Sequence, residues 1–386
     1  MDFTLNQEQA MIVDTVRKFV EKELYPLEDE VERTNYVSPE LGKTIQKKVK
    51  DLGFYAANIP TEFGGGGLNH LEFALLEREL GRGNYALAHY FGRPSAILCA
   101  ATSEQRKIYL DPCVQGDKMD CLAMTEPEAG SDVRSMKTFA KKDGDDFIIN
   151  GTKHFISHAD IADFVILFAA TDEQQTEKGI KKIITCFLVD KATKGFECLS
   201  GYQSVSHRGY HNSILKFNNC RVSKNQILGE VGQGFEVMNK WLYATRLTVA
   251  AMSIGRARRA FELALNWAAT RKQFGQVIGK FQGVSFKLAE MITEIDCADW
   301  LTLSAADRLD KGLEANREVA SAKYYATEML TDIADQAIQI YGGMGLMNEL
   351  PLERIWRDSR IERIWDGTTE IQKHIISREL LRPLGG

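Results

Sequence analysis

The seven cysteines of this 386-residue chain, Cys99, Cys113, Cys121, Cys186, Cys198, Cys220 and Cys297, never fall in a C-x-x-C pair. That absence speaks against a thiolate metal site and a disulfide framework, and it indicates a reducing compartment. No apolar run approaches ~18 residues, so no transmembrane span is expected. No long basic run breaks the mixture of 48 Lys and Arg with 53 Asp and Glu, a net charge of −5, and nothing favours nucleic acid or an anionic membrane surface. The N-terminal segment MDFTLNQEQAMIVDTVRKFV has neither a basic n-region nor an apolar h-region, and a cytoplasmic protein is expected. Internal repeats and low-complexity tracts are missing too. What is present is an ordinary globular composition, 44% hydrophobic and 26% charged, in a chain longer than the ~250–300 residues at which single cores stop growing.

Three regions follow from the patterning. From Asn6 to about Leu110, apolar residues recur at helical spacing, as in QEQAMIVDTVRKFVEKEL and LEFALLEREL. The run Gly64 to Gly67 interrupts them; it lacks the Lys-Ser/Thr of a P-loop and reads as a plain loop. After about Asp120 the segments become short, β-branched and partly alternating: FIINGTKHFIS, ADFVILFAATD, KIITCFLVD and NSILKFNNCRV. Asp143-Gly144 and Asn150-Gly151 are expected to be turns between antiparallel strands. From Gly234 long helical patterns return with short breaks, the mark of a bundle. The expected division is a helical region over 1–119, a β region over 120–231 and a helical bundle over 232–386. Strands and helices do not alternate, which rules out the Rossmann and barrel patterns that need such alternation.

Five short segments carry candidate chemistry. MTEPEAGSDVRSMKT, residues 124–138, is rich in Thr, Ser, Gly and free backbone donors; it suits the polar edge of a flat heteroaromatic ring, or is an ordinary loop leading into the sheet. KHFIS places Phe155 and Ser157 on one strand face, to cover and hydrogen-bond such a ring or simply as core and surface. Arg271 in RKQFG either holds a pyrophosphate or complements a helix C-terminus. QIYGGMG ends a helix in a turn open to close backbone approach, or is a C-cap alone. In WDGTTE, residues 365–370, Asp-Gly marks a turn, and Thr369 with Gln372 has the spacing of a capping box. The aspartate is then either a turn residue or a working carboxylate.

Taken in order, MTEPEAGSDV, DDFIINGTKHFIS, TRLTVAAMSIGRARRAFELALNWAATRKQFG, QAIQIYGGMG and PLERIWRDSRIERIWDGTTEIQ resemble the acyl-CoA dehydrogenase family over essentially the whole chain. The resemblance implies a helical N-domain, a β-barrel-like middle domain and a C-terminal four-helix bundle. It also implies FAD, an acyl-CoA substrate, an electron-transfer flavoprotein as acceptor and a homotetramer, with no metal. The implied reaction removes an α-proton and a β-hydride, the latter to flavin N5, and yields the trans-2-enoyl-CoA. By resemblance Leu122, Met124, Thr125, Ser131, Phe155 and Ser157 surround the flavin ring. Arg271, Phe274, Gln282, Gln339 and Gly343 hold the adenosine diphosphate part across a subunit interface, and Thr368 and Glu370 close the site. Arg246 lies near the CoA arm, Ser131, Tyr243 and Gly367 are further substrate contacts, and Arg378 stands behind them.

Three departures qualify this picture. The family's usual base, a glutamate before Gly-Thr, is here Asp366, whose carboxylate sits one C–C bond, about 1.5 Å, further back. The alternative base position of branched-chain members holds Thr245, which cannot serve, leaving Asp366 as the only carboxylate at either place. Tyr243 replaces an acidic residue and Phe155 a tryptophan. The stretch YALAHYFGRP is expected to line the acyl cavity, where His89, Tyr90 and Arg93 imply a polar or compact acyl group, or else to be a solvated helix end. Two rival functions are a nitroalkane-oxidase-like enzyme using the same aspartate and a flavin-binding protein without catalysis.

Overall fold

The computed structural model describes residues 4–177 and 179–385. The first region holds α1 (Gln7–Phe19), α2 (Glu28–Thr34), α3 (Pro39–Asp51), α4 (His70–Leu80) and α5 (Tyr85–His89), followed by the short α6 (Ser103–Gln105) and α7 (Asp111–Gln115). α1 and α4 both begin with capping boxes, Asn6 with Gln9 and Asn69 with Glu72. Their apolar stripes, Ile12, Val16 and Phe19 against Leu76 and Leu80, close one core. The glycine run is packed rather than open: a Cβ on Gly65 would lie 2.1 Å from the Ile59 carbonyl oxygen.

The β region forms one seven-stranded sheet from β1 (Asp120–Ala123), β2 (Phe139–Asp143), β3 (Asp146–Ser157), β4 (Phe164–Thr176), β5 (Gly179–Asp190), β6 (Phe196–Ser200) and β7 (Asn212–Val222). The order is β1-β4-β2-β3-β7-β6, with β5 paired to β4. Antiparallel pairs dominate, and β4 also takes β1 and β2 in parallel. β4 reads as an unbroken apolar run because both faces are covered. Val165, Leu167 and Ala169 enter one core, while Phe164, Ile166, Phe168 and Ala170 enter the other. Asp143-Gly144 is the β2–β3 turn, as expected. Asn150-Gly151 is not a turn: it lies within β3 at a register shift against β7, where a Cβ on Gly151 would sit 2.4 Å from Thr138 Oγ1.

The bundle comprises α8 (Gly234–Thr270), a two-strand hairpin of β8 (Lys272–Gln273) and β9 (Gln276–Val277), then α9 (Gln282–Asp310), α10 (Asn316–Tyr341), α11 (Pro351–Glu362) and α12 (Thr369–Leu381). Its core is alanine-rich, with Ala257, Ala260, Ala264, Ala305, Ala326 and Ala334 fully buried, so the helices approach closely. α8 also docks on α4. There a Cβ on Gly255 would fall 1.9 Å from the Arg78 carbonyl oxygen, so only glycine lets the two backbones meet. This crossing brings α4, α5 and the middle of α8 beside the α11–α12 turn. Among the described residues no helix is long and apolar enough to cross a membrane.

Candidate active site

The α11–α12 turn holds two consecutive left-handed residues, Asp366 at φ 52° and Gly367 at φ 95°. That conformation costs a non-glycine residue about 1–2 kcal/mol, and aspartate is among the few that tolerate it. Surrounding groups fix the turn in place. Gly367 O accepts from Lys323 Nζ at 2.9 Å and from Gln372 Nε2 at 2.9 Å, and Asp366 O accepts from Arg246 Nε at 3.2 Å. The expected capping box is displaced by one residue: Thr368 is the N-cap of α12, accepting from Ile371 N at 3.3 Å, and Gln372 is drawn to Gly367 O instead.

Thr245 Oγ1 donates to Asp366 Oδ2 at 3.1 Å, so the two chain positions proposed for a base converge in space. Burial pushes the Asp366 carboxyl above the ordinary aspartate range, while Lys323, the Thr245 hydroxyl and Arg246 pull it back. The reciprocal effect appears at Lys323, fully buried, which burial lowers to about 8 although Asp366 and Glu362 favour its charge. The Asp366 N–H makes no hydrogen bond among the described residues.

A buried ionic network holds the adjoining indole. Trp365 Nε1 donates to Glu362 at 2.7 Å; Glu362 also meets His207 Nε2 at 3.0 Å and pairs with Arg256, and Asp358 Oδ1 accepts from His207 N at 2.6 Å. Burial alone would raise Glu362, but Arg256 and His207 hold it below the usual carboxylate range. The Trp365 ring packs on His207 and Tyr85, 5.1 Å between centroids in each case. Tyr85 meets Tyr210 edge-on at 4.6 Å, and Tyr210 meets the Trp365 ring at 6.3 Å. Trp365, Tyr85 and Tyr210 therefore pack as one aromatic cluster next to Asp366, whose carboxylate acts electrostatically on both tyrosines. YALAHYFGRP belongs to that cluster and is not a solvated helix end: Arg93 forms an ion pair with the buried Glu77 at 2.6 Å.

The 124–138 loop is shaped by a residue the sequence reading passed over. Glu126 accepts from Lys137 N at 2.5 Å, Thr138 N at 3.0 Å and the buried Lys153 Nζ at 2.8 Å; Lys153 also reaches Met124 O at 2.8 Å. His154 N binds Thr125 O at 3.0 Å, tying β3 to the same loop. Leu122 lies on β1 in register with Ile166; Leu122, Met124 and Thr125 are half-buried and Ser131 is exposed. Phe155 and Ser157 do not share a regular strand face. A bulge between Lys153 and Ile156 puts Phe155 at φ 55° and leaves it 54% exposed against His154 and Tyr202. The result is an open aromatic shelf beside a loop of fixed donors, with Thr125 free of hydrogen-bond partners for its hydroxyl among the described residues.

Arg271, Phe274, Gln282, Gln339 and Gly343 are all exposed and make no contact with the Asp366 cluster. They gather at one end of the bundle, where Trp267 stacks on Tyr341 at 4.6 Å and Arg271 lies 5.7 Å above Trp267. Phe274 is 93% exposed, and nothing lies within 4 Å of a Cβ placed on Gly275, Gly342 or Gly343. Tyr243 hydrogen-bonds Asn316, Glu370 is exposed, and Arg378 is on the solvent side of α12.

Comparison with known proteins gives the family of the chain. The acyl-CoA dehydrogenase N-terminal, middle and C-terminal domain families match residues 6–117, 121–220 and 232–381. The human mitochondrial short-chain specific acyl-CoA dehydrogenase is 37% identical over 98% of this chain and 91% of its own length. The 3-(aryl)acrylate reductase of Clostridium sporogenes is 36% identical over 97% and 99%. The butyryl-CoA dehydrogenase of Megasphaera elsdenii superposes with a TM-score of 0.90 at 32% identity, covering 99% and 100% of the two chains. The FAD complex of PigA does so at 0.89 with 29% identity over both full lengths. With three consecutive domain matches and relatives aligned end to end, the chain belongs to the acyl-CoA dehydrogenase family of oxidoreductases.

Proposed function

We propose that the protein carries out α,β-dehydrogenation of an acyl-CoA thioester with Asp366 as the α-proton base, and that it passes the electrons to an electron-transfer flavoprotein. The observation that carries this reading is the Asp366 carboxylate itself. It is fixed by Thr245 in a strained turn, raised toward working pH by burial, and set beside the Trp365, Tyr85 and Tyr210 rings. The cofactor is FAD, which when bound supplies the acceptor for the β-hydride. The Phe155 shelf, the Thr125 hydroxyl and the Glu126-braced loop suit its ring, with Leu122, Met124, Ser131 and Ser157 around them. Arg271, Phe274, Gln282, Gln339 and Gly343 suit its diphosphate end in a neighbouring subunit, because in their own they face open space. This implies a homo-oligomer, with a tetramer as the expected form.

The remaining work falls to the chain's own groups. Asp366 Oδ takes the α-proton, and the free Asp366 N–H is placed to donate to the thioester carbonyl as negative charge develops there. Trp365, Tyr85 and Tyr210 exclude water, so the carboxylate keeps its raised pKa. Arg246, Gly367 and Tyr243 border the approach for the thioester arm, and Thr368 and Glu370 close the turn.

Asp366→Asn tests this. FAD content and thioester binding should persist while anaerobic flavin bleaching slows by at least about 10²-fold; bleaching at the wild-type rate would leave Asp366 as a turn residue only. The named reductase relative favours one further possibility, the same chemistry run toward the saturated thioester. Reoxidation of reduced enzyme by an enoyl thioester measures that direction.

A further inference from the structure

Behind the Trp365 network, four segments of the chain meet around a second polar centre. Glu28 opens α2, Arg82 and Asn84 belong to the link between α4 and α5, Arg256 and Arg259 lie on α8, and Arg354 and Asp358 lie on α11. These residues line a cavity of about 10 Å³, room for one water-sized group. Guanidiniums gathered inside a protein need their charge neutralised and their N–H groups paired. Part of that is met internally: Glu28 accepts from Arg259 Nη1 and Nη2 and from Asn84 N, each at 2.8 Å, and Arg256 Nη1 pairs with Glu362.

The charge balance does not close in the interior. Arg82, Arg256, Arg259 and Arg354 have side chains no more than 11% exposed, against three equally buried carboxylates, Glu28, Asp358 and Glu362. The carboxylates that pair with Arg82 and Arg354, Glu262 and Asp29, are 47% and 80% exposed and screened by solvent. Glu79, close by, is taken up by Arg17 and Arg78. One buried positive charge is left over, and His207 in its charged form adds another. The hydrogen bonds are short of acceptors in the same place. Asn84 Nδ2, Arg256 Nη2 and Arg354 Nε and Nη1 are buried without a hydrogen-bond partner among the described residues, Arg354 Nη1 stopping 3.8 Å from Glu28. Arg82 Nε is a fifth such donor, on the side of Tyr25. No oxygen of the lining residues is orphaned. Asp358 accepts from His207 N at 2.6 Å, and its other oxygen lies 3.4 Å from His207 Nδ1. A water accepts two hydrogen bonds and has two protons of its own to place; a monatomic anion accepts from every side and brings none.

We infer that this cavity is a binding site for one chloride-sized monovalent anion, held by Arg354, Asn84 and Arg256. The site lies apart from the reaction proposed above and stands whether or not that reading holds. An anion there supplies the missing negative charge and the missing acceptor together, and it joins the α4–α5 link, α8 and α11, which are distant in the chain. Arg256 gives its Nη1 to Glu362, and Glu362 holds the Trp365 indole, so the anion braces the aromatic cluster beside Asp366 without touching it. A cavity of this size leaves out polyatomic organic anions.

The test uses holoenzyme purified without halide from lysis onward. Its thermal midpoint in about 0.3 M sodium chloride should exceed that in the same concentration of sodium gluconate, whose anion is too large for the cavity, by at least about 3 °C. Crystals of the holoenzyme grown in sodium bromide should show an anomalous-scattering peak in the cavity, against Arg354 and Asn84. Asn84→Asp keeps the oxygen that caps α5 by accepting from Ala86 N and Leu87 N, and replaces the free Nδ2 with a carboxylate oxygen that supplies the negative charge itself. Its midpoint should be indifferent to halide, and its bromide peak should be gone. A wild-type midpoint equal in the two salts, a bromide crystal with only water in the cavity, or a halide response that Asn84→Asp retains would each overturn the site. The bromide crystal needs no variant, so it decides the matter even if Asn84→Asp does not fold.

Discussion

Two turns in this molecule have the same backbone and opposite surroundings. Asp366-Gly367 and Phe274-Gly275 are both pairs of consecutive left-handed residues, at φ 52° and 95° in the first and 51° and 79° in the second. The first is bound from three sides by Lys323, Gln372 and Arg246. The second projects a phenylalanine 93% exposed, with only Phe281 at 6.1 Å beside it. Strain at Asp366 is maintained by the subunit's own interior. The left-handed pair at Phe274 is the two-residue turn of the β8–β9 hairpin, held by the Lys272–Val277 and Gln273–Gln276 pairing, so here the backbone is supported while the ring is left in the open.

Substituting within each pair should separate the two cases. Gly367→Ala places a Cβ 2.7 Å from Gln372 Nε2 on a backbone that alanine avoids. Bleaching should fall by about 10²-fold or more, since a shift of about 1 Å suffices for that. Near-normal rates would mean the turn does not position the base. Phe274→Ser should leave each subunit folded but shift the oligomer toward smaller species with less FAD, as measured by light scattering and flavin absorbance. A variant that remains fully assembled and yellow would contradict the shared site.

Lys323→Met probes the interior turn electrostatically. Lys323 favours ionised Asp366, so removing it raises the carboxyl further. Because the base works deprotonated, the acidic limb of the bleaching-rate profile should move to higher pH, and Gln372 still holds the Gly367 carbonyl. A limb that stays in place or moves to lower pH would deny the coupling. Gly275→Ala is expected to do least. Its Cβ enters open space, leaving only the conformational penalty of about 1–2 kcal/mol. A small drop in thermal midpoint with activity retained is the expected outcome, and a loss as large as that of Gly367→Ala would show that the two turns are equally constrained.

How much of this was legible depends on how far apart the cooperating residues lie in the chain. The helical regions and β4 announce themselves through local periodicity, and the order of five motifs carries the family. Glu126 and Lys153 are 27 residues apart and His207 and Glu362 are 155 apart; such pairs meet only once the chain is folded. The clue to Lys153 was a lysine on the buried face of an alternating strand. Asn150-Gly151 was misread because a left-handed or unusual glycine serves bulges as well as turns, and only the approach of Thr138 distinguishes them. The cap of α12 slipped by one residue because Thr368 and Thr369 offer the same hydroxyl. Thr369 turns inward, giving its hydrogen bond to Glu328 at 2.6 Å. The burial of Arg93 depends on Glu77, one helix away, and no local pattern reveals it.

α10 acts as a spacer of fixed length. Lys323, which grips the Asp366-Gly367 turn, and Gln339, beside the open glycines, are 16 residues apart on it, roughly 24 Å at 1.5 Å per residue. Between them Ala326, Ala334 and Ala337 are packed without exposure, so this rod cannot shorten or bend independently of the bundle. A displacement at its glycine end reaches Lys323 only as displacement of the whole rod. If the glycine end holds cofactor and the Lys323 end supports the proton acceptor, as proposed, the two ends can fail separately, and a colourless protein with its Asp366 turn intact is the expected result of losing the first alone.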